Sequence, residues 1–526
     1  MKNGKSDSFI KGTLSLSLSV ILTKILGVLF KVPLSYVLGD SGMGFFNTAY
    51  VIYGFFYILC TAGVPKSITL VLSEERALVG NSDSDYEVLR RGLSLFFKIG
   101  LFVSLLNIIF APALARLVGN TKACLSIIAV YPSILFVSLS GVLRGYLNSK
   151  ERLSQIAVSQ LIESIIKLVF GLLLAFIGVK ARADLYVISS LCIFGITLGS
   201  FVSFLYMFVK AKNEKQKNNK EQKHKICSIN ISGKIIKNAF PIALGASLLN
   251  LSSALDLMII IKRLTESGIS ESYANSLYGN YTTLAVPMFN LVVSILAPVA
   301  TAYMPKLSQS SIIKNREDFL RQANQLLFIT IIVSVPASLS FYFYSFDLLD
   351  VLFTPQSSAL GAEMLIILST GLSLFTVLTV VNTVLESSGR VIITVVSLLA
   401  GSAVKLVSGY MLIGNTSVGI IGAPLGTVIS YFVSLIISLA ALETGGTKLH
   451  AILKLFGMTL IGIIAFYPPY KLIYSVNLFN VSFISMAFSI AVSCIAYISV
   501  IFIVHLLATK GTVFKMHKNK YCALDE

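Results

Sequence analysis

Apolar runs of about 20 residues or more, separated by short polar stretches, follow one another along almost the whole chain. They fall near residues 12–38, 44–65, 92–117, 123–147, 155–178, 185–209, 235–261, 279–304, 320–346, 361–385, 391–413, 418–442, 450–474 and 481–508. At about 1.5 Å of rise per residue, about 20 apolar residues cross the hydrocarbon core of a bilayer as a helix. The runs are too long and too evenly apolar for the alternating strands of a membrane β-barrel. The pattern predicts an all-α polytopic membrane protein with about fourteen transmembrane helices.

Composition narrows the class. Of the 526 residues 55% are hydrophobic and only 13% charged, where a soluble domain carries about 25% charge. A soluble enzyme and a disordered chain are both excluded. Six cysteines without a CxxC and four scattered histidines without an HExxH supply neither a disulfide scaffold nor a zinc site, and no cofactor is expected. The net charge of +18 follows membrane topology rather than a nucleic-acid footprint. With a cytoplasmic N-terminus, the inner loops hold Arg76, Arg90, Arg91, Lys150, Arg152, Lys306, Arg316 and Arg390, and residues 210–225 add seven lysines. The outer loops hold few basic residues, among them Arg116, Lys122, Lys180 and Arg182. Both termini are therefore expected inside. The first run carries Lys24 and Lys31 and lacks a small-residue cleavage site, so it is no signal peptide.

The basic segment at 210–225 reads as a flexible cytoplasmic linker, and the sequences on its two sides resemble each other. Residues 147–171 align without gaps on 385–409, pairing Arg152 with Arg390, Ser159 with Ser397, Lys167 with Lys405 and Gly171 with Gly409 at an offset of 238. A second match at an offset of 235 pairs Gly44 with Gly279 and Ala62 with Ala297. The offset spans six predicted helices. An even number keeps both halves in the same membrane orientation, a parallel repeat about an axis along the membrane normal. The expected domains are an N-lobe at 1–209 (helices 1–6), a basic linker at 210–234, a C-lobe at 235–445 (helices 7–12), and a final helix pair with a basic tail at 446–526.

Ionisable residues inside a membrane are costly unless they face a cavity or a partner. Lys24 and Lys31 lie seven apart on one face of the first helix, and Lys24 near its middle suits a cavity. Glu163 and Lys167 are one turn apart in the fifth helix and spaced to pair. Arg144 lies toward the inner end of the fourth, Asp256 in the seventh near Lys262 and Arg263, and Lys405 in the eleventh, where Gly401 replaces the carboxylate of Glu163. Lys98 suits snorkelling to an interface. The intramembrane balance is cationic, which suits an anionic substrate such as a phosphate ester. Pro33, Pro65, Pro241 and Pro287 interrupt helices at equivalent places in the two halves, marking moving, site-lining elements.

The opening of the chain resembles a known family. Lys11-Gly12-Thr13, Thr23-Lys24-Ile25-Leu26-Gly27 with Lys31 seven on, and the glycines at 39, 42 and 44 look like the start of the polysaccharide-biosynthesis, stage V sporulation protein B type flippases. Ala62-Gly63-Val64-Pro65, Arg144-Gly145-Tyr146, the Ser159, Glu163 and Lys167 set, Asp256 before Lys262-Arg263, and 301–305 extend the match to about residue 445. The resemblance implies the multidrug/oligosaccharidyl-lipid/polysaccharide exporter superfamily: two six-helix lobes working by alternating access. Related lipid II flippases carry arginines late in the second span and early in the eighth. Here those places read Tyr57-Ile58 and Asn280-Tyr281-Thr282. Lipid-linked oligosaccharide is therefore the level of description the resemblance implies.

The resulting expectation is a flippase of the bacterial plasma membrane, monomeric and not an enzyme. Lys24, Lys31 and Lys405 would face the pyrophosphate of a lipid-linked sugar. Tyr50, Tyr53 and Asn47, with Tyr281 and Asn290, would face the sugar. Asp256, Glu163, Lys167 and Arg144 would serve gating or coupling to membrane potential, a proton or another monovalent cation. A cation-coupled drug exporter of the same fold is the alternative, and it would depend on Asp256 or Glu163.

Overall fold

A computed structural model describes residues 2–79, 83–217, 231–313, 315–444, 451–474 and 484–501. Among the described residues the secondary structure is helical, with no strand. The helices are α1 (Lys2–Thr61), α2 (Val64–Val79), α3 (Asp83–Val118), α4 (Cys124–Val130), α5 (Pro132–Ser149), α6 (Leu153–Lys180), α7 (Leu185–Lys217) and α8 (Ile231–Glu266). They continue with α9 (Glu271–Asn280), α10 (Val286–Ile312), α11 (Arg316–Phe343), α12 (Ser345–Asp350), α13 (Pro355–Ser387), α14 (Val391–Ile413), α15 (Gly422–Thr444) and α16 (Ala451–Pro469). A last helix, α17, covers Ile484–Ile501. Eleven segments of the described chain are helical, long and apolar enough to span a membrane.

That number counts the first two predicted spans as one stretch, Leu22–Arg76, where the sequence reading counts two. The first two predicted spans are two helical stretches of α1 that meet at a kink, Gly39, whose backbone is non-helical (φ 58°, ψ −175°). Glycine adopts that conformation at no steric cost. Pro33, expected to kink the span, lies inside α1. The predicted span at 123–147 is divided into α4 and α5, with Pro132 opening α5, where its missing N–H costs nothing. The span at 279–304 is divided by a π turn, Tyr281–Ala285, immediately before Pro287 in the first turn of α10.

The chain forms two compact units. One comprises the residues up to Thr283 together with Gly409–Ile420, and the other comprises Leu284–Ser408 with the residues from Ile421 onward. The division falls beyond the 210–234 linker, because α8 and α9 belong with the N-terminal helices. The Ser67 hydroxyl donates to the Ile235 carbonyl at 2.7 Å, and a Cβ on Gly63 would run into the backbone of Ala239. In the first unit Ile68, Val71, Leu72, Val142, Leu143, Leu147 and Ile235 form a fully buried core among α2, α5 and α8. In the second unit Leu326, Leu327, Ile331, Val335, Val377, Val381 and Leu435 do the same among α11, α13 and α15. The final helices dock on that second core. Phe466 and Tyr497 join it, and Tyr344 meets Ser489 at 2.5 Å.

The turns entering α6 and α14 repeat one geometry. In the first, Lys150 and Arg152 N–H groups donate to the Leu147 carbonyl, and Glu151 carries φ 59°. In the second, Ser388 and Arg390 donate to Leu385, and Gly389 carries φ 80°. Beyond each turn, Ser159 and Ser397 carbonyls accept from Ser203 and Ser434 respectively, both at 3.0 Å. Residues 147–152 and 385–390 are positions paired at an offset of 238, and these two turns share backbone conformation as well as residue type.

Candidate functional site: a basic, aromatic face in the first unit

Past its bend, α1 carries Phe46, Tyr50, Tyr53 and Tyr57 at spacings of three and four, one face of a helix. Their rings follow in sequence, with centroids 5.9, 6.4 and 5.6 Å apart, and Phe30 from before the bend joins Phe46 at 5.9 Å. The kink at Gly39 lets Phe30, before it, meet Phe46, after it.

Basic groups from α1, α5 and α6 meet this row. The Lys167 ammonium stands 5.4 Å from the ring centre of Phe30 and 5.7 Å from that of Tyr50, within reach of a cation–π attraction. The Arg144 guanidinium Nη2 lies 3.0 Å from Glu163 Oε2, with side chains 13% and 19% exposed. The spacing of Glu163 and Lys167 led us to expect a pair along α6. The structure gives Glu163 to Arg144 instead, and Lys167 to the rings. Lys31 and Lys167 repel each other across the same face, so three cations here meet one carboxylate.

Lys31 has a second partner, and local backbone chemistry explains it. Its Nζ donates to the Thr282 carbonyl at 3.3 Å. Five residues beyond Thr282 stands Pro287, which has no N–H to return a π-type bond. The lysine donates to a carbonyl that residue 287 cannot serve.

Close packing beside it is fixed by the glycines paired at an offset of 235. A Cβ on Gly279 would lie 2.6 Å from the Gly44 nitrogen, and one on Gly44 would lie 2.6 Å from the Asn275 Cγ. Where the backbones touch, carboxamides satisfy the polar groups. Asn120 Nδ2 donates to Thr48 Oγ1 at 2.9 Å and to Asn275 Oδ1 at 2.5 Å, and Asn275 donates to the Ser41 carbonyl at 2.7 Å. Asn47 donates to Thr283 Oγ1 at 2.7 Å, and Asn280 to Asp40 at 3.1 Å. Asn47 is thus a strut of this crossing. Sequence reasoning missed Asn120, Asn275 and Asn280 because uncharged amides in scattered turns carry no periodic signal.

The structure brings Lys31, Tyr50, Tyr53, Arg144, Glu163 and Lys167 together. Lys24 is exposed on α1, one heptad before Lys31. Tyr281 is buried in the π turn next to Thr282. Asp256 is buried on α8 near Tyr278, while its expected neighbours Lys262 and Arg263 pair with Glu266 at 4.0 and 2.5 Å. Lys405 and Asn290 belong to the second unit, Lys405 half-buried on α14 and Asn290 exposed on α10. Lys98 is exposed on α3.

A further set of ion pairs involves Arg76 and Lys150, which the sequence marked only as inner-loop charge. Arg76 holds Asp85 through Nε at 2.7 Å and Nη2 at 3.0 Å, and Lys150 reaches the same carboxylate at 2.5 Å. Lys234 at the start of α8 reaches Glu75 at 3.0 Å. Among the described residues, no group of three or more His, Cys, Asp and Glu is placed to hold a metal ion.

Comparison with known proteins adds the following. The family model described as "Polysaccharide biosynthesis protein" matches residues 9–311, and the MatE model matches 282–411. Stage V sporulation protein B of Bacillus subtilis (strain 168) is 24% identical over 433 residues, 80% of this chain and 81% of the relative. Lipid II flippase MurJ of the same organism is 24% identical over 452 residues, 82% of each. Among solved structures, a lipid II flippase MurJ in an inward closed conformation superposes with a TM-score of 0.71 at 18% identity, covering 94% of this chain and 99% of that one. An inward-facing multidrug resistance MATE family transporter superposes with a TM-score of 0.65 at 12% identity, over 82% and 98%. The chain shares the fold of both.

Proposed function

Because the chain belongs to the polysaccharide biosynthesis protein family, we propose that it is a flippase that moves an undecaprenyl-pyrophosphate-linked oligosaccharide across a bacterial plasma membrane. The cargo class covers cell-wall precursors such as lipid II and repeat units of polysaccharides. One observation carries the reading: three cations and a row of aromatic rings share one face, with a single carboxylate among them. A diphosphate is attracted by lysines as point charges and gripped by arginine in bidentate fashion. A sugar suits aromatic faces and amide donors. Lys24 and Lys31 would meet the headgroup, Lys167 would add a third charge to hold it, and Tyr50 and Tyr53 would face the sugar. Lys405 would serve the equivalent place in the second repeat. The prenyl tail would remain in the bilayer while alternating access carries the headgroup over.

Asp256 and the Arg144–Glu163 pair are the groups we assign to gating or to coupling with membrane potential, a proton or another monovalent cation. Both termini would be cytoplasmic, and the working unit a monomer. The protein acts as a transporter rather than an enzyme in this reading. The MATE-like fold favours one other reading, export of organic cations. That chemistry calls for unpaired carboxylates, whereas Glu163 is held by Arg144.

Equilibrium binding tests the proposal. The purified protein in detergent should bind a short-chain pyrophosphate-linked disaccharide, and Lys31→Ala should weaken binding about tenfold, the loss of one charge-assisted contact. Tight binding of an organic cation dye, with none of the glycolipid, would instead favour the drug-exporter reading.

A further inference from the structure

Lys167 sits where its charge is under-used. Its ammonium lies over the rings of Phe30 and Tyr50, a weak attraction compared with a charge-assisted bond to a phosphate oxygen. The carboxylate one turn away on the same helix, Glu163, is engaged by Arg144 at 3.0 Å. Arg144 therefore keeps Glu163 from claiming Lys167. The ring beneath Lys167 is itself accessible: Tyr50 is 37% exposed, and Phe46 stacks on it at 5.9 Å with the planes 14° apart. A lysine, with a compact charge on a flexible four-carbon stem, can leave such a ring without moving the backbone.

We propose that Lys167 is an anion-released cap on Tyr50. A diphosphate arriving at the basic face draws the ammonium off the ring, and the uncovered face of Tyr50 receives the sugar attached to that diphosphate. The inference rests on the flippase reading and adds its selectivity. The cation that reads the phosphate also exposes the surface that reads the sugar, so a glycan is held only when it comes linked to the anion. Lys167 and Tyr50 together then distinguish a glycan-bearing carrier from a bare one.

The chain contains no tryptophan, so Tyr50→Trp installs a single indole beneath Lys167. The full-length Tyr50→Trp protein in detergent would be titrated with inorganic pyrophosphate and, separately, with farnesyl pyrophosphate, with sodium chloride at matched ionic strength as control. The expected result is a saturable change in indole emission that disappears when Lys167→Gln is added. Response to both ligands assigns the trigger to the diphosphate group itself. Response to farnesyl pyrophosphate alone assigns it to a lipid headgroup. No response, a response equal to that of sodium chloride, or one that survives Lys167→Gln overturns the cap. A second readout does not depend on the indole. In proteoliposomes, Tyr50→Ala should lower the ratio of glycan-bearing to bare polyprenyl diphosphate movement about tenfold, while Tyr50→Phe, which keeps the ring, preserves the ratio. An unchanged ratio in Tyr50→Ala overturns the inference and leaves the flippase standing. No movement of either lipid by the parent protein counts against the flippase reading itself.

Discussion

Arg144 and Glu163 are the residues whose partners differ most between sequence and structure. Each was legible as an intramembrane charge, and their pairing was not. Glu163 had a candidate partner at the favourable helical spacing, Lys167, and only the packing of α5 against α6 brings Arg144 closer. Partly buried pairs of this kind cost more to break than to replace, because the surviving charge is left without its counter-charge. Arg144→Gln or Glu163→Gln alone should therefore lower stability by about 2 kcal/mol, and the double variant by less than the sum of the two. Thermal unfolding in detergent, with the double-mutant cycle, checks this. Additive losses would mean that the pair contributes no coupling. Lys31 shows the same limit in another form. Its position on the cationic face could be read from the seven-residue spacing to Lys24, but its bond to the Thr282 carbonyl depends on where Pro287 breaks a distant helix.

Helices and turns follow the sequence where backbone chemistry is local. Gly39, Pro132 and Pro287 each stand where a helix bends or restarts, and each residue type accounts for its site. The boundary between the first two predicted spans falls at the kink, where the non-helical backbone of Gly39 separates the two stretches of α1. The repeated turns before α6 and α14 give an opposed pair of predictions. Glu151 holds φ 59° with a side chain that disfavours it, whereas Gly389 holds φ 80° freely. Glu151→Gly should raise stability by up to about 1 kcal/mol, and Gly389→Ala should lower it by about 1 kcal/mol. Opposite shifts in melting temperature would support the shared geometry, and shifts of the same sign would contradict it. At the crossing of α1 and α9, Gly279→Ala places a methyl group against the Gly44 backbone. It should cost about 1–3 kcal/mol as an overpacked contact, visible as reduced yield and a lower melting temperature.

For the whole molecule, the all-α membrane class and the family could be read from apolar run length and from the glycine and lysine spacing near the N-terminus. The limits of the compact units could not, because α8 and α9 follow the linker in sequence yet pack with the helices before it through Ser67, Gly63 and Gly44. Orientation is a prediction at this scale: a fluorescent protein fused after Glu526 should fluoresce in bacterial cells, as expected of a cytoplasmic C-terminus, and a periplasmic reporter at the same place should stay inactive. Headgroup translocation in proteoliposomes tests the central claim most directly. The purified protein would be offered fluorescent lipid II and a pyrophosphate-linked glycan without the peptide, with and without a membrane potential. The account predicts movement of at least one of these lipids to the far leaflet, reduced tenfold or more in Lys31→Ala at normal protein level. No movement of either lipid under any gradient, or movement undiminished in Lys31→Ala, would contradict it.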